Sequence, residues 1–299
     1  MIKRTMKRGT FTACTIAAAS GLGATVLAQD VDLKLAQIEE STGGRLGVAA
    51  FDAHGKQRVG YRPGERFLMC STFKLLAVGD ALTHVDAGTL SLERRVHFTK
   101  ADLLPYAPVA RTHVGRGWMT VRELCAGAIE LSDNTCANLV LSNVGGPPGV
   151  TRYLRSIGDH YTRLDRTEPA LNHMTSPGDP RDTTTPESMG FDAYRLLTRD
   201  LLSSSSRALL VDWMRHSSTG LNLLRAGFPS SWRAGDKTGM GGGRTAGGDS
   251  DTRNDVAIVW PPGRAPFIVA VYLTGVTVAA EQRDAAHAAV ARAITPVFS

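Results

Sequence analysis

Strand-type patterning occurs at both ends of this 299-residue chain and not in its middle, and that placement constrains the fold more than any other feature. Toward the front, residues 33–38 show helical periodicity after Asp30. Residues 45–52 and 57–61 then read as two strands around the turn Ala53-His54-Gly55-Lys56. Toward the back, residues 232–239, 255–260 and 267–274 read as three strands, with Pro261-Pro262-Gly263 as the turn between the last two. An alanine-rich helix follows over residues 281–294. Between the two groups the apolar period is that of helices, over 73–87, 121–130, 134–143, 150–157, 186–202 and 207–215. Thr185-Pro186-Glu187 marks one helix start, with threonine as cap and proline in the first turn.

An α-β-β start and a β-β-β-α end predict an α/β (α+β) fold, with one antiparallel five-stranded sheet built from both chain ends and flanked by helices. The helical middle is then an inserted all-α domain, residues 64–216, set against an α/β domain of residues 29–63 and 217–299. A cleft is expected between these lobes. Two long segments, 163–185 and 240–253, are rich in glycine, proline, aspartate and threonine and read as functional loops.

Hydrophobic residues make up 42% of the chain and charged residues 21%, which argues against bulk disorder and multispan membrane architectures. The formal net charge of +6 would point to an anionic macromolecule if the cations clustered on the folded surface. Much of it lies elsewhere. Lys3, Arg4, Lys7 and Arg8 open the chain ahead of an uncharged stretch, residues 11–28, that ends in Val26-Leu27-Ala28. This is the pattern of a secretory signal peptide over residues 1–28, and its glycine, serine and threonine dilute it below a membrane anchor. Cleavage removes four cations and no acid, leaving +2 on a mature chain that begins at Gln29. A nucleic-acid partner loses its support, and a secreted, periplasmic location without membrane association is expected. Lys7-Arg8 falls one arginine short of a twin-arginine pattern, which leaves the export route open. Cys14 leaves with the signal, and Cys70, Cys125 and Cys136 form an odd set that implies no disulfide framework. The sequence has neither C-x-x-C nor H-E-x-x-H, and its histidines lack ligand spacing, so no metal and no cofactor is expected.

Ser71-Thr72-Phe73-Lys74 is an S-x-x-K at the start of a helical pattern. Positions i and i+3 share a helix face, so the Lys74 ammonium can reach the Ser71 hydroxyl, which as a nucleophile needs a base or a stabilising field. Free N–H groups at a helix start also face an anion. By itself the motif reads more simply as a helix cap with a solvated lysine. Ser132-Asp133-Asn134, at the joint of two helices, and Lys237-Thr238-Gly239, at the end of a strand, have similarly plain readings. Their combination says more. The mature chain carries lysine at 34, 56, 74, 100 and 237, and two of these fall within three motifs placed in order on a helix start, an interhelical joint and a strand.

That set resembles the class A serine β-lactamases, and the resemblance covers almost the whole mature chain. Glu168-Pro169-Ala170-Leu171-Asn172 is similar to the family's E-x-x-L-N element in an Ω-shaped loop, with Arg163-Leu164-Asp165-Arg166 and Arg181-Asp182-Thr183-Thr184 at its ends. The resemblance implies that Ser71 opens the β-lactam ring of penicillins and cephalosporins, giving antibiotic resistance, and that Glu168 activates water to release the acyl group. Asn172 would help hold that water. Whether Lys74 or Glu168 activates Ser71 stays open. Ser132 would relay a proton to the ring nitrogen, Lys237 and Thr238 would meet the substrate carboxylate, and Asn134 and Gly239 would border the substrate. The backbone N–H groups of Ser71 and Met240 would form the oxyanion hole. Tyr106 is similar to the family's aromatic wall, Arg253 to its carboxylate-binding arginine with Arg283 as the alternative, and Arg166 and Asp182 to an ion pair closing the loop. A monomer acting on a small-molecule substrate is implied. Glu168 with Asn172 separates this pattern from a D,D-peptidase, and a cleavable leader separates it from a membrane-held β-lactam sensor.

The chain also departs from the family pattern. Met240 replaces a small or hydroxyl residue, and the 240–253 connection is several residues longer than usual, which leaves the alignment of Arg253 open. The Ω-shaped loop is one residue longer, within residues 173–177. No cysteine follows Lys237-Thr238-Gly239 closely, and the family partner position of Cys125 is Val78. Cys70 and Cys125 are therefore expected as buried thiols, without the disulfide of several class A carbapenemases.

Overall fold

The computed structural model describes residues 19–176, 178–244, 247, 248 and 250–299. Most of the expected export segment, with Cys14, lies outside the described residues. The described chain begins with helix α1 (Ala19–Thr42), which starts upstream of the expected cleavage point. Strands β1 (Arg45–Phe51) and β2 (Gln57–Tyr61) form the predicted hairpin. After β3 (Phe67–Leu68) come α2 (Phe73–Asp86), β4 (Arg95–His97), α3 (Ala110–His113), β5 (Trp118–Thr120), α4 (Val121–Glu130), α5 (Asn134–Asn143) and α6 (Gly146–Ser156). The second half contains β6 (Thr183–Thr184), α7 (Pro186–Thr198), α8 (Ser204–His216), α9 (Leu224–Gly227), β7 (Arg233–Arg244), β8 (Ser250–Trp260), β9 (Phe267–Thr274) and α10 (Ala280–Phe298). Among the described residues no helix is long and apolar enough to cross a membrane.

One five-stranded antiparallel sheet takes strands from both chain ends in the order β2-β1-β9-β8-β7, as predicted. β9 is its centre, and side chains alternate across the pleat. Val269, Val271 and Leu273 pack with Val31 and Leu35 of α1 and Val290 and Ile294 of α10. Ile268, Ala270 and Tyr272 face the larger helical core, with Phe67, Met189 and Ala193. A strand buried on both faces reads as an unbroken apolar run, and β9 is one.

Local chemistry sets the helix ends. Thr120 and Glu123 form a reciprocal capping box at α4, and Thr185 caps α7 with proline in its first turn. α6 starts at Gly146 rather than at residue 150, because Pro147 and Pro148 fall where no intrahelical N–H is needed. α7 stops at Thr198 rather than at residue 202, since Arg199 is extended and Ser203 caps α8. The largest correction concerns residues 240–253. β7 does not end at Gly239 but runs to Arg244, and β8 starts at Ser250, so much of the expected long loop is a strand hairpin. Its glycines hide the alternation on which a strand assignment depends.

Candidate active site

The Ser71 turn is built between the sheet and the helical core. Ser71 lies in a 3₁₀ turn, Cys70–Thr72, that feeds directly into α2. Cys70 has φ 46, a conformation disfavoured for a residue with a side chain, so its surroundings must hold it. Asn254 on β8 does part of this, its Nδ2 donating to the carbonyls of Leu68 at 2.8 Å and Met69 at 3.0 Å. On the other side, Thr72 Oγ1 lies 3.0 Å from the Tyr272 hydroxyl of β9.

Lys74 is 0% exposed and gives its protons to Asn134 Oδ1 at 2.6 Å and the Ser132 carbonyl at 2.8 Å, with Glu168 Oε1 at 3.1 Å. The Ser71 hydroxyl donates not to Lys74 but to Glu168 Oε1, at 3.0 Å. Sequence reasoning placed lysine and serine on one face; here both meet the same Glu168 oxygen, while Asn134 and Ser132 hold the ammonium. Lys237, also 0% exposed, donates to Ser132 Oγ at 2.9 Å and to the Thr238 carbonyl at 2.8 Å. Burial pushes both lysines below their ordinary pKa, and for Lys237 the charge of Lys74 adds to that push. Ser132 itself has φ 56, held because Asp133 caps α5 and accepts from the N–H groups of Val109 and Ala110.

Glu168 is 3% exposed, and its second oxygen accepts from Asn172 Nδ2 at 2.5 Å. Its peptide is clamped by Asn138: the Glu168 N–H donates to Asn138 Oδ1 and Asn138 Nδ2 donates to the Glu168 carbonyl, both at 3.0 Å. The loop carrying it is closed by Arg166 Nε on Asp182 Oδ2 at 2.5 Å, with Asp182 fully buried, so this is not a solvated surface pair. Asn172 Oδ1 is buried without a hydrogen-bond partner.

A cavity of about 440 Å³ opens above these groups. Ser71, Tyr106, Ser132, Asn134, Asn172, Thr238, Gly239, Met240 and Arg253 line it, while Lys74, Glu168 and Lys237 are buried close by. The serine, the carboxylate and both lysines thus lie in one connected network on the border of a single cleft.

Comparison with known proteins agrees with this geometry. A family model described as "Beta-lactamase enzyme family" matches residues 30–298. The chain belongs to the β-lactamase enzyme family. It is 42% identical over 297 residues to β-lactamase CTX-M-25 of Escherichia coli, covering 99% of each chain. To β-lactamase L2 of Stenotrophomonas maltophilia it is 45% identical, covering 86% of this chain and 82% of that one. Among solved structures, an ancestral class A β-lactamase is 52% identical with TM-score 0.84, covering 90% of this chain and 100% of that one. A β-lactamase from Xanthomonas campestris pv. campestris is 46% identical with TM-score 0.85, covering 91% and 99%. The chain is a class A serine β-lactamase in fold and enzyme class.

Within this β-lactamase, Arg253 sits opposite Met240 in the β7–β8 pairing. Arg253 Nη2 donates to the Thr219 carbonyl at 3.0 Å, and its Nε lies 3.6 Å from Asp284 and makes no hydrogen bond. Arg283 borders the same cavity but is engaged with Asp284 and with the Ser250 carbonyl at 2.6 Å. Thr219 also meets Thr238 Oγ1 at 2.7 Å. Cys70, Cys125 and Cys136 are free and buried, and burial pushes the Cys125 thiol up to about 12.

Sequence reasoning missed Asn138, Asn254, Tyr272 and Thr219. Asn138 carried a signal, since it lies four residues after Asn134 and so on the same face of α5. Tyr272 is a polar interruption in the otherwise apolar β9, a pattern that asks for a buried partner, whereas Asn254 lies within the polar run 250–255 of β8 and carried no such signal.

Proposed function

We propose that Ser71 Oγ attacks the β-lactam carbonyl carbon, the ring C–N bond breaks, and the resulting ester is hydrolysed by water that Glu168 deprotonates. The observation that carries this reading is the single carboxylate between nucleophile and amide. Glu168 Oε1 accepts from Ser71 at 3.0 Å, while Oε2 is held by Asn172, whose own Oδ1 is left free to accept from a water. Glu168 Oε1 also lies 3.1 Å from Lys74 Nζ, so Lys74 stands beside Glu168 as a second acceptor for the Ser71 proton. Ser132, bonded to Lys237 and close to Lys74, passes a proton to the departing ring nitrogen. The carbonyl oxygen, as it becomes anionic, lies against the N–H groups of Ser71 and Met240. Lys237, Thr238 and Arg253 attract the substrate carboxylate, Asn134 and Gly239 border the ring, and Tyr106 walls the entrance.

The test is Glu168→Gln. Lys74, its ammonium weakened by burial, remains beside Ser132 to support acylation, but nothing activates water. A penicillin adduct on Ser71 is expected to accumulate and to register in intact-protein mass spectrometry as the parent mass plus one penicillin. Turnover at the parent rate would falsify the deacylation role. We further propose a periplasmic monomer without a nucleic-acid partner, a reading supported by the leader pattern and the small mature charge and checked by fractionation and size-exclusion chromatography.

A further inference from the structure

The β7–β8 hairpin is longer than the family pattern, and it does not end idly. Its pairing runs regularly to Gly241 opposite Thr252 and then shifts to Arg244 opposite Ser250, so Gly242 and Gly243 oppose the single residue Asp251. This is a β-bulge, a device that turns backbone groups out of the ladder. Asp251 Oδ1 holds it by accepting from the Gly243 N–H at 2.9 Å and Thr252 Oγ1 at 2.8 Å. Gly242 has φ 79, and an added Cβ would lie 2.1 Å from Asp251 Oδ1, so glycine is required there. The Gly242 carbonyl accepts from His173 Nδ1 at 2.8 Å.

His173 directly follows Asn172. Its carbonyl accepts from Arg166 Nη2 at 2.8 Å, and Arg166 is the residue paired with Asp182 at the loop's closure. The imidazole is therefore a strap from the loop that carries Glu168 and Asn172 to the bulge of the hairpin. Beneath it lies a second cavity of about 500 Å³, bordered by Asn172, Met240, Gly241 and Ser250. It shares Asn172, Met240 and Arg283 with the catalytic cleft, so the two spaces adjoin at Met240.

We propose that His173 is a positioning residue whose strap to Gly242 sets the gap between loop and hairpin, and through it which acyl side chains of β-lactams are turned over. This rests on the β-lactamase reading above. With the strap closed, Asn172 and Glu168 are held in the register that deacylates substrates with compact side chains. With it open, the glycine-rich hairpin moves off the loop, the second cavity widens toward the cleft, and bulky branched side chains gain room while the water site loosens.

The test compares His173→Ala, which removes donor and ring, His173→Phe, which keeps a ring without the donor, and His173→Asn, whose amide places a donor near the position of Nδ1. The readout is the ratio of kcat/KM for an oxyimino-cephalosporin to that for benzylpenicillin, with the benzylpenicillin deacylation rate from acyl-enzyme accumulation. Loss of one hydrogen bond predicts a ratio raised about fivefold in the Ala and Phe variants, with slower penicillin deacylation, and rescue toward the parent in Asn. A ratio that follows side-chain bulk, or one that stays flat while Tm falls, overturns the strap. Should His173→Ala fail to fold, Phe against Asn still separates donor from bulk. A flat ratio leaves the β-lactamase reading standing, whereas absence of an adduct in Glu168→Gln strikes that reading and not the strap.

Discussion

At the scale of single residues, the site depends on cations withdrawn from water. Lys74 and Lys237 are tolerated in the interior because carbonyls, an amide oxygen and Glu168 replace their hydration, and both converge on one serine hydroxyl. Arg253 is different: its Nε has no hydrogen-bond partner, whereas Arg283 is occupied by Asp284 and a carbonyl. Arg253→Ala is therefore expected to raise KM for benzylpenicillin about tenfold, with kcat changed less, the loss appropriate to a charged hydrogen bond. An unchanged KM would move the carboxylate role to Arg283. Against the same arginines lies His287, fully buried, with Nδ1 near the Arg283 carbonyl at 3.2 Å and Nε2 unpartnered. Burial first, and the charge of Arg253 second, pushes its pKa from 6.5 down to about 4. As pH falls through 6.5 toward 4 the unfolded chain takes up a proton that the folded chain refuses, so stability falls across that window and this contribution levels off below it. Between pH 7 and pH 4.5 the parent should lose about 2 kcal/mol more than His287→Leu, read as the difference in their denaturation midpoints. Equal losses would mean that His287 does not titrate as its burial requires.

At the scale of elements, the hairpin and the Ω-like loop meet tightly at Gly241, beside the cavity that separates them elsewhere. A Cβ added at Gly241 would lie 2.7 Å from the Asn172 carbonyl and 2.7 Å from Cys70 Sγ, two groups flanking the catalytic carboxylate and the nucleophile. Gly241→Ala is expected to cost about 1–3 kcal/mol through overpacking, lowering Tm, and to slow penicillin deacylation by displacing Asn172. Gly115→Ala, where an added Cβ meets nothing within 4 Å, is the control and should leave turnover unchanged. If both variants match the parent, the two elements part more easily than their packing implies. The same glycines explain where sequence reading failed. β2, β9, α4 and α5 were legible to the residue, because period, caps and bounding turns coincide there. Glycine has no side chain to register a period, so a strand with three in a row at 241–243 passed for a loop. The Ser71, Lys74, Ser132 and Lys237 motifs were legible from their order along the chain, and Glu168 from the family resemblance that this order carried. Asn138 and Asn254 were not, since their partners lie 30 and 185 or more residues away and only the fold brings them together.

At the scale of the molecule, a sheet made from both chain ends has two faces with different duties. One carries the nucleophile: Tyr272 meets Thr72, and Asn254 holds the backbone entering the Ser71 turn. The other is covered by α1 and α10: Arg253, on this face of β8 and 3.6 Å from Asp284 of α10, borders the cleft at the β7 margin, while the part under α1 supplies stability away from the chemistry. Leu35 of α1, 0% exposed, is buried in that second face. Leu35→Ala should cost about 2–5 kcal/mol for lost burial and a cavity. At roughly 2–4 °C per kcal/mol for a domain of this size, Tm should fall by about 5–15 °C. Because β9 and β8 stand between that cavity and Ser71, kcat/KM for benzylpenicillin measured well below the lowered Tm should stay within about twofold of the parent. Asn254→Ala is the converse. It removes the two bonds that steady the nucleophile turn, so kcat should fall even where the protein is fully folded by circular dichroism. If Leu35→Ala instead lost activity at temperatures where it remains folded, strain would be crossing the sheet, and the separation between a stabilising face and a catalytic face would be wrong.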